Sequence, residues 1–498
     1  MRMLHETPSA LAPVLLGVSC LCLAEAFRLG THARPFRSSA PSHPPSLSPC
    51  LSHPSSFITS HAATGTQIAP TDAERTAHEP ADTDAALDPL GVDEQQRLKS
   101  DAEKYLLNNY GARNLLLTEG RGATVYDASG KAYIDFGAGI AVNALGHSDL
   151  GWYSALMDQA SKLSHTSNLY LTQPQIDLAK KLVQLAPFAS KVFFCNSGTE
   201  ANEAAIKFAR KLALSKARKG LLGKAKKVNF VAFEKSFHGR TMGALTVTSK
   251  KKIRDPFAPL MGGDVTFCPW NDLKEAKRAI DGDTCAVFVE PVQGEGGVNP
   301  ADVGFLKGLR ELCDKSGAVL VFDEVQCGLG RTGKLWGHQH AGVSPDIMTL
   351  AKPLAGGLPI GAVLMTEEVA SAIEPGDHGS TFAGNPLVCA VANYVVNAVS
   401  SPEFLSGIES KGRHLRERLA AVEGGRIKDT RGEGLLIGVV FDSADEVNKI
   451  KQTCEDRGLL VLTAGEGQVV RLAPPLNIPM EQLDRGIDIL EHAIKELG

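Results

Sequence analysis

Apolar residues in this chain fall in short continuous runs rather than in strict alternation. The run 318–322 is bounded by Gly317 and ends in two acids, Asp323 and Glu324. Such a run suits a strand buried on both faces of a parallel sheet. Further runs at 191–195, 228–233, 284–292 and 347–351 read the same way. Between them the spacing becomes helical. Ala201, Ala204, Ala205, Phe208 and Leu212 form one stripe of a helix predicted over 199–214, and helices are predicted over 305–316 and 387–399. Strands alternating with helices predict an α/β fold, and ligands of such open sheets bind at the carboxyl ends of the strands.

The pattern changes towards both ends of the folded part. Residues 124–135 carry a hairpin signal with a turn at 128–130, followed by a glycine-rich loop at 137–147. From about Pro402 the order is helix 403–421, strand 435–441, helix 444–457, strand 459–462, an extended segment 469–476 and an amphipathic helix 482–497. The division expected is a presequence at 1–71, a linker at 72–99, an N-terminal segment at 100–165 that joins a small domain, a large domain at 166–400, and the rest of the small domain at 401–498. Of 498 residues, 43% are hydrophobic and 22% charged, an ordinary globular balance. Lys and Arg number 52 against 56 Asp and Glu, with no dominant basic block, which argues against nucleic acid as a partner. The 10 cysteines include no CxxC pair. Three lie in the presequence, and the other seven read as reduced core thiols, so neither a disulfide framework nor a metal site is signalled.

The chemistry concentrates in 319–362. Lys352 follows an apolar stretch, and burial there disfavours its ammonium form and makes the amine nucleophilic. Taken alone, a lysine at a strand end is ordinary. The order Asp323, Gln326, Lys352 changes that reading, because with the surrounding loop 328–333 it resembles the class III aminotransferases that use pyridoxal 5'-phosphate (PLP).

That resemblance extends from about residue 100 to the C-terminus and implies fold type I, with a mostly parallel seven-stranded sheet in the large domain. It implies that Lys352 holds the cofactor aldehyde, that Asp323 faces the ring nitrogen and that Gln326 bonds the ring hydroxyl oxygen. A carboxylate about 4 Å from a cation at an effective dielectric near 20 is worth roughly 4 kcal/mol, or about three pKa units, enough to keep the ring nitrogen protonated. Ser197, Gly198 and Thr199, in SGTEANE at a helix start, match the phosphate loop. Phe237 is expected to stack on the ring with His238 beside it, and Arg240 to present its fork to a substrate carboxylate. The loop carrying Ser380 and Thr381 is expected to reach a neighbour's cofactor in a homodimer. Arg471 matches the arginine that takes the α-carboxylate of glutamate, with Glu295 as its gate. Ile140 and Tyr110 are expected at the substrate.

The activity implied is transfer of the terminal amino group between N2-acetylornithine and 2-oxoglutarate. Ornithine δ- and 4-aminobutyrate aminotransferases are the alternatives, with a glutamate semialdehyde aminomutase a more distant one. The leader adds an address. Residues 10–23 are apolar but too short to span a bilayer, and 27–71 hold no acid. A signal-like stretch before an acid-free stretch resembles the bipartite leaders of algae with secondary plastids. The mitochondrial matrix is the rival destination.

Overall fold

The computed structural model describes residues 89–111, 113–218, 228–259, 264–422 and 425–497. The presequence expected at 1–71 lies outside them. The described residues belong to one compact unit. Its largest sheet has seven strands in the order Lys191–Cys195, Gly361–Met365, Ile347–Leu350, Val319–Asp323, Thr284–Val289, Asn229–Phe233 and Val265–Cys268. All neighbours run parallel except Gly361–Met365, which is antiparallel to both of its own. The continuous apolar runs have their expected cause: every residue of Thr284–Val289, Val319–Asp323 and Ile347–Leu350 is buried. On one face lies the helix Gly198–Arg218, whose Ala201, Ala204, Ala205 and Phe208 pack with Phe230, Phe288 and Val321. On the other lies Val303–Ser316, packed through Phe305, Leu306 and Leu309.

A second, antiparallel sheet runs Asp429–Glu433, Leu436–Val440, Val469–Leu472, Leu462–Ala464. A third joins an early segment of the described residues to a late one. The hairpin Thr124–Asp127 and Ala132–Asp135 pairs as its pattern predicted, and Leu459–Leu460 adds in parallel to Ala132–Asp135. The single strand expected at 459–462 is therefore two. The chain leaves one sheet after Leu460 and enters the other at Leu462.

Other boundaries also differ. The strand expected over 284–292 ends at Val289, and Val292–Gln293 forms a separate short ladder with Asn299–Pro300. Pro291 has no N–H to continue the pairing. The linker expected through residue 99 includes a helix, Val92–Tyr105, with no buried residue. Its start is tied down where Leu90 N donates to Ala128 O and Gln95 Nε2 donates to Leu90 O at 2.7 Å. Two further helices are Leu150–Ala160, capped by Asp149, and Gln173–Leu185, with proline in its first turn. All seven described cysteines are buried.

Candidate active site

Four strands of the large sheet deliver the site at their carboxyl ends. Lys191–Cys195 leads into Asn196, Ser197 and Gly198, and Asn229–Phe233 leads towards Phe237 and Arg240. Thr284–Val289 ends at Glu290, and Val319–Asp323 ends in Asp323 itself. With Lys352 they line a pocket of about 370 Å³. Lys352 is not on a strand. Ile347–Leu350 stops two residues earlier, and Lys352 opens a short 3-10 turn whose exit uses the left-handed backbone of Gly356.

Asp323 is 3% exposed. Its Oδ2 accepts from Asn202 Nδ2 and from His238 Nδ1, each at 2.8 Å, and its Oδ1 accepts from Val325 N at 3.0 Å. Burial alone would lower the His238 pKa, but the bond and charge of Asp323 raise it. His238 therefore braces Asp323. Asn202 also donates to His238 O and accepts from Thr349 Oγ1, so it ties helix, loop and sheet to the same carboxylate. Glu290 accepts from Phe237 N and Gly294 N, and burial pushes its carboxyl pKa up.

Lys352 is reached from the pocket, yet burial is the largest influence on its amine and lowers its pKa. Asp323 opposes this and Arg471 adds to it. Arg471 is almost wholly buried. Its Nη1 stands 3.3 Å from Glu295 Oε2 and donates to Gln326 Oε1, also at 3.3 Å. A guanidinium has no acceptor, so the amide oxygen of Gln326 must face it. The Gln326 NH2 group then remains as a donor on the other side. Gly294 lies so close to Gln326 that a Cβ there would collide with the amide oxygen.

At the other end of the pocket, Gly198 opens the long helix. A Cβ on Gly198 would meet Val325 Cγ1 at 2.7 Å. First-turn N–H groups have no carbonyl four residues back within the helix. Thr199 Oγ1 accepts from Arg240 N at 3.0 Å, and the Arg240 guanidinium lies 5.6 Å from the Phe237 ring centroid. Ser197 caps the helix by accepting from Glu200 N.

The structure thus brings together Ser197, Gly198, Thr199, Phe237, His238, Arg240, Glu295, Asp323, Gln326 and Lys352 as pocket lining, with Arg471 bonded to that lining. It does not bring in four others. Tyr110 is 81% exposed and lines no part of the pocket. Ile140 lines an adjoining cavity with Asp135, His147 and Lys451 instead, while its near neighbour Val142 faces the pocket. The turn explains the shift. Residues 138–141 all have positive φ, and Asp135 Oδ1 holds them by accepting from Gly137 N and Ala138 N. Ser380 and Thr381 are also outside the lining; Ser380 Oγ accepts from Asn196 Nδ2 at 2.9 Å. Asn202, Val325, Thr349 and Glu290 were missed. Asn202 had a visible signal, an amide two residues after the acid of SGTEANE and next to an alanine stripe. Glu290 had one too, an acid at the end of an apolar run, while Val325 and Thr349 had none.

Comparisons with known proteins identify the family. The family described as "Aminotransferase class-III" matches residues 106–494. Acetylornithine aminotransferase, mitochondrial, from Alnus glutinosa is 50% identical over 399 residues, 80% of this chain and 87% of that protein. A crystal structure of N-acetylornithine aminotransferase from Stenotrophomonas maltophilia is 39% identical and superposes with a TM-score of 0.69, covering 80% of this chain and 98% of the other. A structure of ornithine aminotransferase from Toxoplasma gondii, described with partial occupancy of PLP at its active site, is 31% identical with a TM-score of 0.76, covering 81% and 94%. The donor set here fits such a cofactor. A buried carboxylate with a free lone pair suits a ring nitrogen, the free Gln326 NH2 suits a ring oxygen, and the first-turn N–H groups at Gly198 and Thr199 suit a phosphate. The chain belongs to the class III aminotransferases, a PLP-dependent family.

Proposed function

We propose that this chain is an N-acetylornithine 5-aminotransferase that transfers the terminal amino group between N2-acetyl-L-ornithine and 2-oxoglutarate in a ping-pong cycle. The observation that carries the reading is the Arg471–Glu295 pair at 3.3 Å in the pocket that contains Lys352. A donor that reacts through its terminal amine has no carboxylate beside the reacting carbon. Arg471 would then face it unpaired, and a buried unpaired charge is costly. Glu295 removes that cost, and glutamate displaces it with its own α-carboxylate. One site then serves two substrates in turn.

Lys352 would hold the cofactor through its amine, Asp323 would face the ring nitrogen, Gln326 the ring oxygen, and Ser197, Gly198 and Thr199 the phosphate. When bound, PLP supplies an electron sink for the carbon bearing the transferred amine. The chain supplies the rest. Lys352 Nζ, its pKa lowered by burial, is the base for the proton on that carbon. Phe237 and Val325 both line the pocket, Val325 packed against Gly198. Arg240 takes the distal carboxylate of the donor.

The acetylated donor is favoured over free ornithine because no described acid among the pocket residues is free to take an α-ammonium. Glu295 is engaged by Arg471, and Glu290 and Asp323 accept from buried donors. The 50% identity to the Alnus acetylornithine enzyme supports the same choice. We further propose a homodimer. Asn168 Nδ2 donates to Ser380 O and Ala383 O, so two loops lie together and expose Leu169, Tyr170, Leu171 and Phe382, each at least 65% accessible. A contiguous exposed apolar patch of this kind marks an interaction surface. Residues 1–71 are proposed to direct import into an organelle. Their composition supports a plastid, whereas the relatives from Alnus and Dictyostelium discoideum are named mitochondrial. A reporter fused to residues 1–75 decides: plastid fluorescence supports the first address, matrix fluorescence the second, and secretion or cytosolic retention removes both. The donor comparison that closes the Discussion tests the activity.

A further inference from the structure

Glu295 carries a second cation. Lys250 Nζ lies 3.7 Å from Glu295 Oε1, on the oxygen that Arg471 does not use. The two cations sit in different surroundings. The Arg471 side chain is 3% exposed, while that of Lys250 is 40% exposed and that of Glu295 is 37% exposed. Lys250 makes no other ion pair among the described residues.

The backbone around Glu295 is fixed. Gly465 N donates to Glu295 O at 3.0 Å, Gly294 N donates to Glu290 Oε1, and Arg431 Nε donates to Gly297 O at 2.9 Å. A Cβ on Gly296 would collide with Lys235 O, so the strand of chain is also closely packed there. Glu295 can therefore leave Arg471 only by rotating its side chain. Lys250 is held just as firmly. It begins the short helix Lys251–Arg254, and its carbonyl accepts from Ile253 N and Arg254 N.

We propose that Lys250 is the receiving partner of the gate, a positioning residue that holds the Glu295 carboxylate once a substrate carboxylate has taken Arg471. The inference rests on the gate described under Proposed function and deepens it. In the closed arrangement one carboxylate bridges two cations. After displacement the substrate carboxylate neutralises Arg471, and without Lys250 the carboxylate of Glu295 would be left beside the incoming anion with no counter-charge. Lys250 thus lowers the cost of opening and favours dicarboxylate substrates over a terminal-amine donor. Because the pair is partly exposed and solvent-screened, the effect is modest, about two- to fivefold, the range of exposed ion pairs.

Glutarate tests this without turnover, since it has both carboxylates of glutamate and neither an amine nor a keto group. Its affinity for the holoenzyme is measured calorimetrically in wild type, Lys250→Met, Lys250→Arg, Glu295→Gln and the Lys250→Met/Glu295→Gln double variant. Lys250→Met is expected to weaken glutarate about two- to fivefold and Lys250→Arg to restore it. In the Glu295→Gln background, Lys250→Met is expected to have no effect. A weakening that persists in that background would mean Lys250 attracts the ligand directly, and would overturn the proposal. Unchanged binding in Lys250→Met, with glutarate tightened by Glu295→Gln, would also overturn it while leaving the gate intact. Glutarate binding indifferent to Glu295→Gln would remove the gate itself.

Discussion

Asn202 and His238 donate to the same oxygen of Asp323, each at 2.8 Å, and all three side chains are buried. The carboxylate expected to face the cofactor is thus fixed by a helix and a loop before any ligand arrives. Asn202→Ala would leave Asp323, His238 O and Thr349 Oγ1 each short of a partner. Buried polar groups left unsatisfied cost about 1–3 kcal/mol. The variant is expected to lose about that much stability in urea unfolding, and its cofactor to dissociate more readily on dilution, followed by visible absorbance. Wild-type stability and cofactor retention would mean that the network does not position Asp323.

Gly294 is predicted to be irreplaceable for a local reason. A methyl group there would displace the Gln326 amide, which bonds Arg471 and is expected to meet the ring oxygen. Gly294→Ala should lower kcat/KM for both substrates by at least about tenfold, equivalent to about 1.4 kcal/mol. Gly282→Ala, where nothing lies within 4 Å, is the control and should leave it unchanged.

Lys352 makes stability depend on pH in a definite direction. Burial lowers the pKa of its amine in the folded chain below the ordinary 10.5. Between the folded and unfolded values the unfolded chain binds more protons, so stability rises with pH across that window. In the apo-protein, Lys352→Met should therefore be more stable than wild type at pH 7, and its advantage should shrink as pH approaches 10.5. Thermal unfolding of both apo-proteins between pH 7 and 10.5 measures this. A gap that grows with pH would contradict it.

How far the sequence carried this far depends on what each residue answers to. Val319–Asp323 was legible because burial on both faces demands a continuous apolar run, and every one of its residues is buried. Lys352, Asp323 and Gln326 were legible from their order, and they do converge on one pocket. The break at Val461 was not, because an apolar run does not show that its two halves pair with different sheets. The helix Val92–Tyr105 was read as linker because it buries nothing and so carries no core stripe. Ile140 was placed at the substrate from its loop alone. The left-handed turn through 138–141 turns it to the adjoining cavity, and backbone handedness of that kind leaves little trace outside glycine.

The apolar patch beside Ser380 predicts assembly. Leu171→Asp with Phe382→Asp places charge where two exposed apolar loops adjoin. Sedimentation should show a dimer for wild type and a monomer of lowered activity for the variant. A fully active wild-type monomer would refute the expectation that the loop serves a neighbouring site.

The most direct measurement of the central claim is kcat/KM for N-acetylornithine, ornithine and 4-aminobutyrate, each with 2-oxoglutarate as acceptor at one pH. A charged α-ammonium without a partner in the pocket is penalised, whereas an acetamide is neutral and cheaper to desolvate. N-acetylornithine should exceed ornithine by at least about tenfold, since each 1.4 kcal/mol is a factor of about ten. A higher value for ornithine or 4-aminobutyrate would contradict the substrate assignment, and no transfer from any of the three would contradict the aminotransferase site built around Lys352.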